Sequence, residues 1–126
     1  MVQLDPEPFE ELVEHAFVLL PEKFRSALEN IAVLVEDYPT DEIVRSMKLP
    51  SRHHLLGLYQ GVPLTKRGVW YGTSPVGPDK ITLYRSNILS LCRTEADVEK
   101  KIYEVLVHEI GHYFGMDEDQ IRKAGF

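Results

Sequence analysis

The two ends of the chain carry hydrophobic residues at the spacing of amphipathic helices. Asp5-Pro6 opens the first helix, since proline is favoured at the first helical position, and Pro21 ends it and starts a second short helix. The apolar positions of the first helix lie three or four residues apart, at Phe9, Leu12, Val13, Ala16, Phe17 and Leu20. The pattern predicts two helices that each pack one face against a core.

A longer helix is predicted near the C-terminal end of the sequence. Thr94 is followed by Asp97 at the third helical position, an arrangement close to a capping box. Gly115 is a natural residue to follow the helix, because glycine readily adopts the left-handed conformation found there. Apolar residues recur on more than one side of this segment, at Val98, Ile102, Val105, Leu106, Val107, Ile110, Tyr113 and Phe114. We therefore expect a buried helix over residues 95–114.

The middle of the chain favours short elements. The apolar and mostly β-branched run 31–35 predicts a buried central strand, and residues 55–60 and 81–85 predict two further strands. A short helix is expected over residues 40–47, and another closes the chain over residues 120–124. The resulting order, α-α-β-(α)-β-β-α-α, gives an α+β domain in which a small sheet packs on helices.

Composition narrows the class of protein. The 126 residues suit one globular domain spanning 1–126, and the single Cys92 cannot form an internal disulfide. The net charge of −6 argues against nucleic acid as a partner, and the best candidates for a basic stripe are only two short doublets, Lys66-Arg67 and Lys100-Lys101. The first residues lack the regions of a secretory signal, and no run is long enough to cross a membrane. We expect a cytoplasmic protein without a membrane partner.

Residues His108-Glu109-Ile110-Gly111-His112 form the H-E-x-x-H pattern of zinc-binding helices. Histidines four residues apart project from one face of a helix, one turn above the other, so both can bind a single Zn²⁺. Glu109 lies about 100° around the helix from His108, near enough to accept a proton from a water on the metal. The motif predicts His108 and His112 as metal ligands and Glu109 as the catalytic general base.

An ordinary packing role is the alternative interpretation of these histidines. It is the usual role of a single histidine on such a helix. Here the motif lies in a helix predicted to be buried, where a Glu-His-His group without a metal carries a large desolvation penalty. Gly111 adds to the metal interpretation, since glycine inside a helix costs up to about 1 kcal/mol relative to alanine and so indicates a close approach to the backbone there.

The residues after the motif extend it. Residues 113–119 read YFGMDED, and the run resembles the metzincin signature H-E-x-x-H-x-x-G-x-x-H/D, in which glycine turns the chain so that the last residue reaches the metal. Gly115 matches that glycine and Glu118 matches the last ligand, with Asp117 or Asp119 as alternatives; carboxylate oxygen suits Zn²⁺. The acidic run is also typical of the first turn of a short helix, where it interacts favourably with the helix dipole. The two roles are compatible for different members of the trio.

Over nearly its whole length, the chain resembles the family of very small bacterial zincin-like metallopeptidases, also called minizincins. The stretch 107–115, which contains the motif, is the specific match. Shorter matching stretches occur in the same order along the chain, at 9–13, 20–21, 30–33, 35–37, 56–59 and 81–85. The resemblance implies a single-domain, minimal zincin-like α+β fold and a Zn²⁺-dependent peptidase, and it implies no particular substrate.

A zinc peptidase acting on a peptide or protein is the leading hypothesis from the sequence. His108, His112 and Glu118 would hold Zn²⁺, which polarises the scissile carbonyl and lowers the pKa of its water toward about 7. Glu109 would take the water proton and pass it to the leaving amine. Two alternatives stay open: a non-catalytic peptide- or protein-binding module with the same fold, and a metal-dependent hydrolase of non-peptide amides or esters.

Residues outside the motif are candidates for a substrate groove. Zincins bind extended peptides along an edge strand beside the metal helix, and residues 81–85 are the candidate edge, with an ordinary sheet strand as the alternative. Trp70, Tyr71 and Tyr84 are candidates for pocket or oxyanion-stabilising roles, although most aromatic residues belong to cores. The adjacent pair His53-His54 is interpreted as loop or surface residues, because neighbouring side chains diverge.

Overall fold

The computed structural model describes residues 2–63 and 79–125. Its elements in chain order are α1 (Pro6–Leu19), α2 (Glu22–Ala27), a 3₁₀ turn (Leu28–Asn30), β1 (Ile31–Glu36), α3 (Asp41–Ser46), β2 (Gly57–Gln60), β3 (Asp79–Tyr84), α4 (Arg85–Ser90), α5 (Glu95–Tyr113) and α6 (Glu118–Lys123). The predicted α+β class, with a small mixed sheet and the motif on a helix near the C-terminus, is confirmed. Trp70, Tyr71 and the doublet Lys66-Arg67 lie outside the described residues.

β3 is the middle strand of the described sheet. It pairs in parallel with β1 and antiparallel with β2, which gives the order β1-β3-β2. In the part of the chain that the structure describes, β1 lies at an edge of the sheet and alternates between more and less exposed positions, so the prediction of a central strand over residues 31–35 is wrong there. Residues 81–85, a candidate edge, instead provide most of the central strand. An apolar run indicates burial, whereas strand order depends on contacts distant in sequence.

α5 is the element on which the rest of the domain packs. It contacts α1 as well as strands β2 and β3, and its apolar residues are buried on more than one side, as the sequence predicts. The predicted cap is confirmed, since the Thr94 side chain accepts from the backbone N–H of Asp97 and the Asp97 side chain accepts from that of Thr94.

Among the described residues, no helix combines the length and apolar character needed to cross a bilayer.

α4 is a helix that the sequence pattern does not predict. Its six residues are too few to display a helical stripe, and they follow directly on β3. The buried side chain of Asn87 explains its position, because the amide donates to the carbonyl oxygens of Arg52 and Leu55, each at 2.8 Å. α4 thereby fixes residues 52–55, which lead into β2.

Candidate metal centre

The two histidines of the motif lie on one face of α5. The ring centroids of His108 and His112 are 5.1 Å apart, and the ring planes are nearly perpendicular. Each side chain is about one-third exposed, at 32% and 29%. The ring nitrogens of both histidines are therefore accessible from one region outside the helix.

A sharp turn returns the chain to these histidines. Gly115 follows α5 with a φ of 85°, a left-handed conformation that favours glycine. Asp117 then caps α6, because its side chain accepts from the backbone N–H of Gln120 while the Gln120 side chain accepts from that of Asp117. Glu118 is consequently the first residue of α6, and its side chain extends back toward α5.

Gly111 allows α6 to lie close to α5. A Cβ at Gly111 would be 2.8 Å from Cγ1 of Ile121, which is closer than real side chains approach. Ile121 is 1% exposed and is the residue that anchors α6. The close approach that the glycine indicates in the sequence is confirmed, and it brings the start of α6 to the histidines.

The Glu118 carboxylate bridges the two histidines. Oε1 lies 3.0 Å from Nε2 of His108 and 3.1 Å from Nε2 of His112, and Oε2 lies 2.9 Å from Nε2 of His108. In a tetrahedral zinc site each ligand atom is about 2.0–2.2 Å from the ion, so neighbouring ligand atoms are about 3.3 Å apart. The distances from Glu118 to the two Nε2 atoms, 2.9–3.1 Å, differ from that spacing by a few tenths of an ångström.

A backbone carbonyl orients one of the histidines. Nδ1 of His112 lies 3.0 Å from the carbonyl oxygen of Met116, so a proton on Nδ1 would be donated there and Nε2 would be the nitrogen that binds a metal. Carbonyls and carboxylates commonly orient metal-binding histidines in this way. The sequence does not name this partner, because it depends on the turn after α5.

Glu109 lies beside the histidines and is nearly buried. It is 8% exposed, and Oε1 accepts a hydrogen bond of 2.9 Å from the backbone N–H of Tyr59 in β2. A ligand atom from each of His108, Glu109 and His112 lies within 4.8 Å of the others, so the group can hold a metal ion. Burial raises the pKa of Glu109, and the charges of His112 and His108 and the Tyr59 hydrogen bond oppose that rise without cancelling it.

The pKa of Glu118 moves in the opposite direction. Its partial burial alone would raise the pKa, but the hydrogen bond from His108 and the charges of His108 and His112 outweigh that effect and lower it. The two glutamates are therefore electrostatically distinct. The lowered pKa of Glu118 favours the carboxylate form, which is the form that binds a metal, whereas the raised pKa of Glu109 makes its carboxylate a stronger base.

A cleft of about 480 Å³ runs between α5 and the segment leading into β2. His108, Glu109, His112 and Glu118 lie along it, and the other lining includes Met47, Leu55, Leu56 and Val105. Gly57 allows the two walls to approach, because a Cβ there would lie 2.5 Å from Cγ1 of Val105. The cleft thus joins the candidate metal ligands to a largely apolar trough beside β2, an edge strand of the described sheet.

Comparison with models of known protein families finds a match that includes the helix, the turn and the site. The model described as zincin-like metallopeptidase matches residues 28–125, which is most of the chain. The chain belongs to the zincin-like metallopeptidase family. A search of curated proteins returns no match.

The remaining sequence candidates occupy different places in this zincin-like domain. Tyr84 is fully buried and is not among the cleft residues; its hydroxyl has no hydrogen-bond partner among the described residues, and burial raises its pKa to about 12. His53 and His54 are exposed, as predicted, but His54 also lines the cleft. Tyr59 is a site residue that sequence reasoning misses, because its contribution is a backbone N–H.

Proposed function

We propose that this protein is a zinc-dependent peptidase in which His108, His112 and Glu118 hold the ion and Glu109 is the general base. The observation that carries the proposal is the position of the Glu118 carboxylate, within 3.1 Å of Nε2 of both histidines. When bound, zinc would polarise the scissile carbonyl and make the attacking water more acidic. Asp117, the alternative ligand, already caps α6, and Asp119 lies one position further along that helix.

Glu109 would move the proton in this reaction. Its carboxylate lies next to the proposed ligands, and the N–H of Tyr59 holds one of its oxygens, leaving the other to accept a proton from the attacking water. The same carboxyl group would then donate that proton to the leaving amine. The raised pKa of Glu109 supports this role, because a stronger base than an ordinary carboxylate accepts the proton more readily.

The cleft supports an extended peptide as the substrate. β2 lies at an edge of the described sheet and forms part of the cleft wall, so a peptide could add to it as a further strand. β2 therefore takes the place of residues 81–85 as the candidate binding edge. The apolar trough of Met47, Leu55 and Leu56 would receive an apolar side chain of that peptide.

Metal analysis of purified chains tests the ligand set. We expect one equivalent of zinc per wild-type chain and a much lower content in Glu118→Ala. Glu109→Gln is the matched control, since it alters the neighbouring carboxyl group and should keep the metal. Unchanged zinc content in Glu118→Ala would remove Glu118 from the ligands.

A peptide-library assay tests the reaction. The zinc-loaded wild type should cleave a subset of peptides, and Glu109→Gln should lose at least about 100-fold in rate, the usual contribution of a general base. Zinc binding without any cleavage of peptides would support instead the non-catalytic binding module, or the hydrolysis of amides and esters that are not peptides. Screening such compounds with the same two proteins separates these alternatives.

A further inference from the structure

A second groove of the described residues lies away from the metal site. It has a volume of about 680 Å³ and runs between α1 and β1, at the opposite edge of the sheet from β2. Its apolar lining includes Val13 and Phe17 of α1, Leu28, and Val33 and Val35 of β1. We call it the α1–β1 groove. None of the proposed zinc ligands lines it.

One wall of this groove is a strand edge that lacks the usual residues that prevent pairing with another strand. Within the described residues, β1 pairs with β3 on one side and with no strand on the other. Its sequence, IAVLVE, holds neither lysine nor proline, the residues that commonly block pairing at edge strands. Leu34 is 43% exposed on this strand. Six residues match the usual length of a strand, so the edge can accept a partner strand.

The charges of the α1–β1 groove select the kind of partner. Glu10 and Glu14 stand one turn apart on α1, and Glu36 ends β1. All three are exposed, and none of the described lysines and arginines lines the groove. A second copy of this chain paired edge to edge would bring two such sets of carboxylates together, on two chains that each carry a net charge of −6. A basic partner meets the same carboxylates with attraction instead.

We propose that the α1–β1 groove binds an extended segment of a partner protein that adds to β1 as a strand. The alternating side chains of that segment would be apolar residues, which fill the trough between α1 and β1, and lysine or arginine, which face Glu10, Glu14 and Glu36. Main-chain hydrogen bonds to β1 give affinity in this mode, and the side chains give specificity. The proposal does not depend on the zinc site or on peptidase activity.

Fluorescence anisotropy with designed peptides tests the groove. The probe is a labelled ten-residue peptide of alternating valine and lysine. One control peptide carries glutamate in place of lysine, and another keeps the lysines but has N-methylated backbone positions that cannot pair as a strand. We expect the wild type to bind the first peptide and to bind each control at least about tenfold more weakly.

Matched charge reversals locate the binding. The double variant Glu10→Lys, Glu14→Lys should weaken binding of the valine–lysine peptide by about tenfold. The reason is that two attractions between these side chains and the peptide lysines become repulsions. The control is Glu7→Lys, Glu11→Lys, which makes the same change in net charge on exposed positions of α1 outside the groove. It should change binding by less than about twofold.

Several outcomes would overturn the proposal. Equal weakening by both double variants would show general charge attraction, and undiminished binding of the N-methylated peptide would show that no strand is added. Amide NMR shifts at Tyr59 rather than at Val33 and Val35 would place the peptide in the metal cleft. A wild-type dimer that Leu34→Lys converts to a monomer would show that a second copy occupies the edge.

Discussion

At the residue scale, three consecutive acidic residues have different surroundings. Asp117 caps α6, Glu118 reaches both histidines, and Asp119 follows in the first turn of α6. The three side chains differ because they lie at the start of α6, where the capping residue must turn its side chain toward the helix backbone. The next residue then directs its side chain away from the cap, and in this chain the direction is toward α5.

Gly111 is the residue whose substitution tests this arrangement without touching a proposed ligand. In Gly111→Ala, the added Cβ would meet Cγ1 of buried Ile121 at 2.8 Å, so α6 must shift away from α5. Since Glu118 belongs to α6, we expect the dissociation constant for zinc to rise about tenfold, the lower end of the usual effect of residues that position ligands. Competition with a chromogenic chelator measures it.

Ile121→Ala provides the control for this steric argument. The double variant Gly111→Ala, Ile121→Ala removes the atoms that the new Cβ would meet, so zinc affinity should recover toward that of Ile121→Ala alone. If Gly111→Ala binds zinc as tightly as the wild type, the close packing at Gly111 does not position Glu118. A loss that the double variant fails to restore would point to a change in α5 itself.

At the element scale, α5 depends on its first turn as well as on its buried faces. The Thr94 hydroxyl accepts the backbone N–H of Asp97 at 3.1 Å. Thr94→Ala removes this acceptor, and we expect a loss of about 1 kcal/mol in the free energy of unfolding. Urea denaturation of the metal-free proteins measures the loss. Thr94→Ser, which keeps the hydroxyl, should lie close to the wild type, and equal losses in both variants would contradict a capping role.

Asp97 makes the same cap sensitive to pH. Hydrogen bonds from the backbone N–H groups of Arg93 and Thr94, in that order of importance, lower the pKa of its carboxyl below the ordinary 3.8. A lowered folded-state pKa means that the ionised form stabilises the folded chain above the ordinary pKa, and that this stabilisation is lost as the pH falls through the lowered value. Asp97→Asn should therefore be less stable than the wild type at pH 7.

A pH series of urea denaturation curves checks the sign of this effect. The stability difference between the wild type and Asp97→Asn should stay constant from pH 7 to about pH 5 and shrink as the carboxylate protonates below the ordinary pKa. A difference that grows on acidification would mean that the cap does not favour the ionised form. No other side chain of the cap titrates in this range, because Thr94 is uncharged.

The elements best predicted from the sequence are those fixed by local chemistry. α5 carries both a cap and a long apolar pattern, and the observed helix differs from the predicted range 95–114 by a single residue. α4 is too short to carry such a pattern, and its contact through Asn87 joins residues far apart in the chain. The positions of β1 and β3 in the sheet likewise follow from pairing over long sequence distances.

In the site, too, some features follow from local sequence and others depend on contacts between distant parts of the chain. The spacing of His108 and His112 places them together on one helix face, so sequence alone brings them into proximity. The approach of Glu118 depends on Gly115 and Gly111, which the sequence also marks. The N–H of Tyr59 and the carbonyl of Met116 contact the site through backbone atoms. Because a residue of almost any type could make these two backbone contacts, they can be found only from the folded structure.

At the scale of the whole molecule, the two edge strands of the described sheet have different surroundings. β2 borders the cleft with the proposed zinc ligands, and β1 borders the α1–β1 groove with its three glutamates. The described residues of this zincin-like domain thus have two strand edges, and we propose a peptide-binding role for each. Among the residues that the structure describes, only the β2 edge lies beside a group that can hold a metal, so cleavage and docking would be separate events.

Zinc should also stabilise the fold, because the proposed ligands belong to two helices. At a free zinc concentration of 100 times its dissociation constant, binding to the folded state alone adds about 2.7 kcal/mol to the free energy of unfolding. The effect should be greatest locally in α6, which the structure joins to α5 through Glu118 and Ile121. Hydrogen exchange of the amides in α6 should therefore slow when zinc is added to the chelator-treated protein. In Glu118→Ala, α6 keeps its packing at Ile121 but loses its proposed ligand, so zinc should leave its exchange unchanged; equal slowing in that variant would mean that the metal is held without α6.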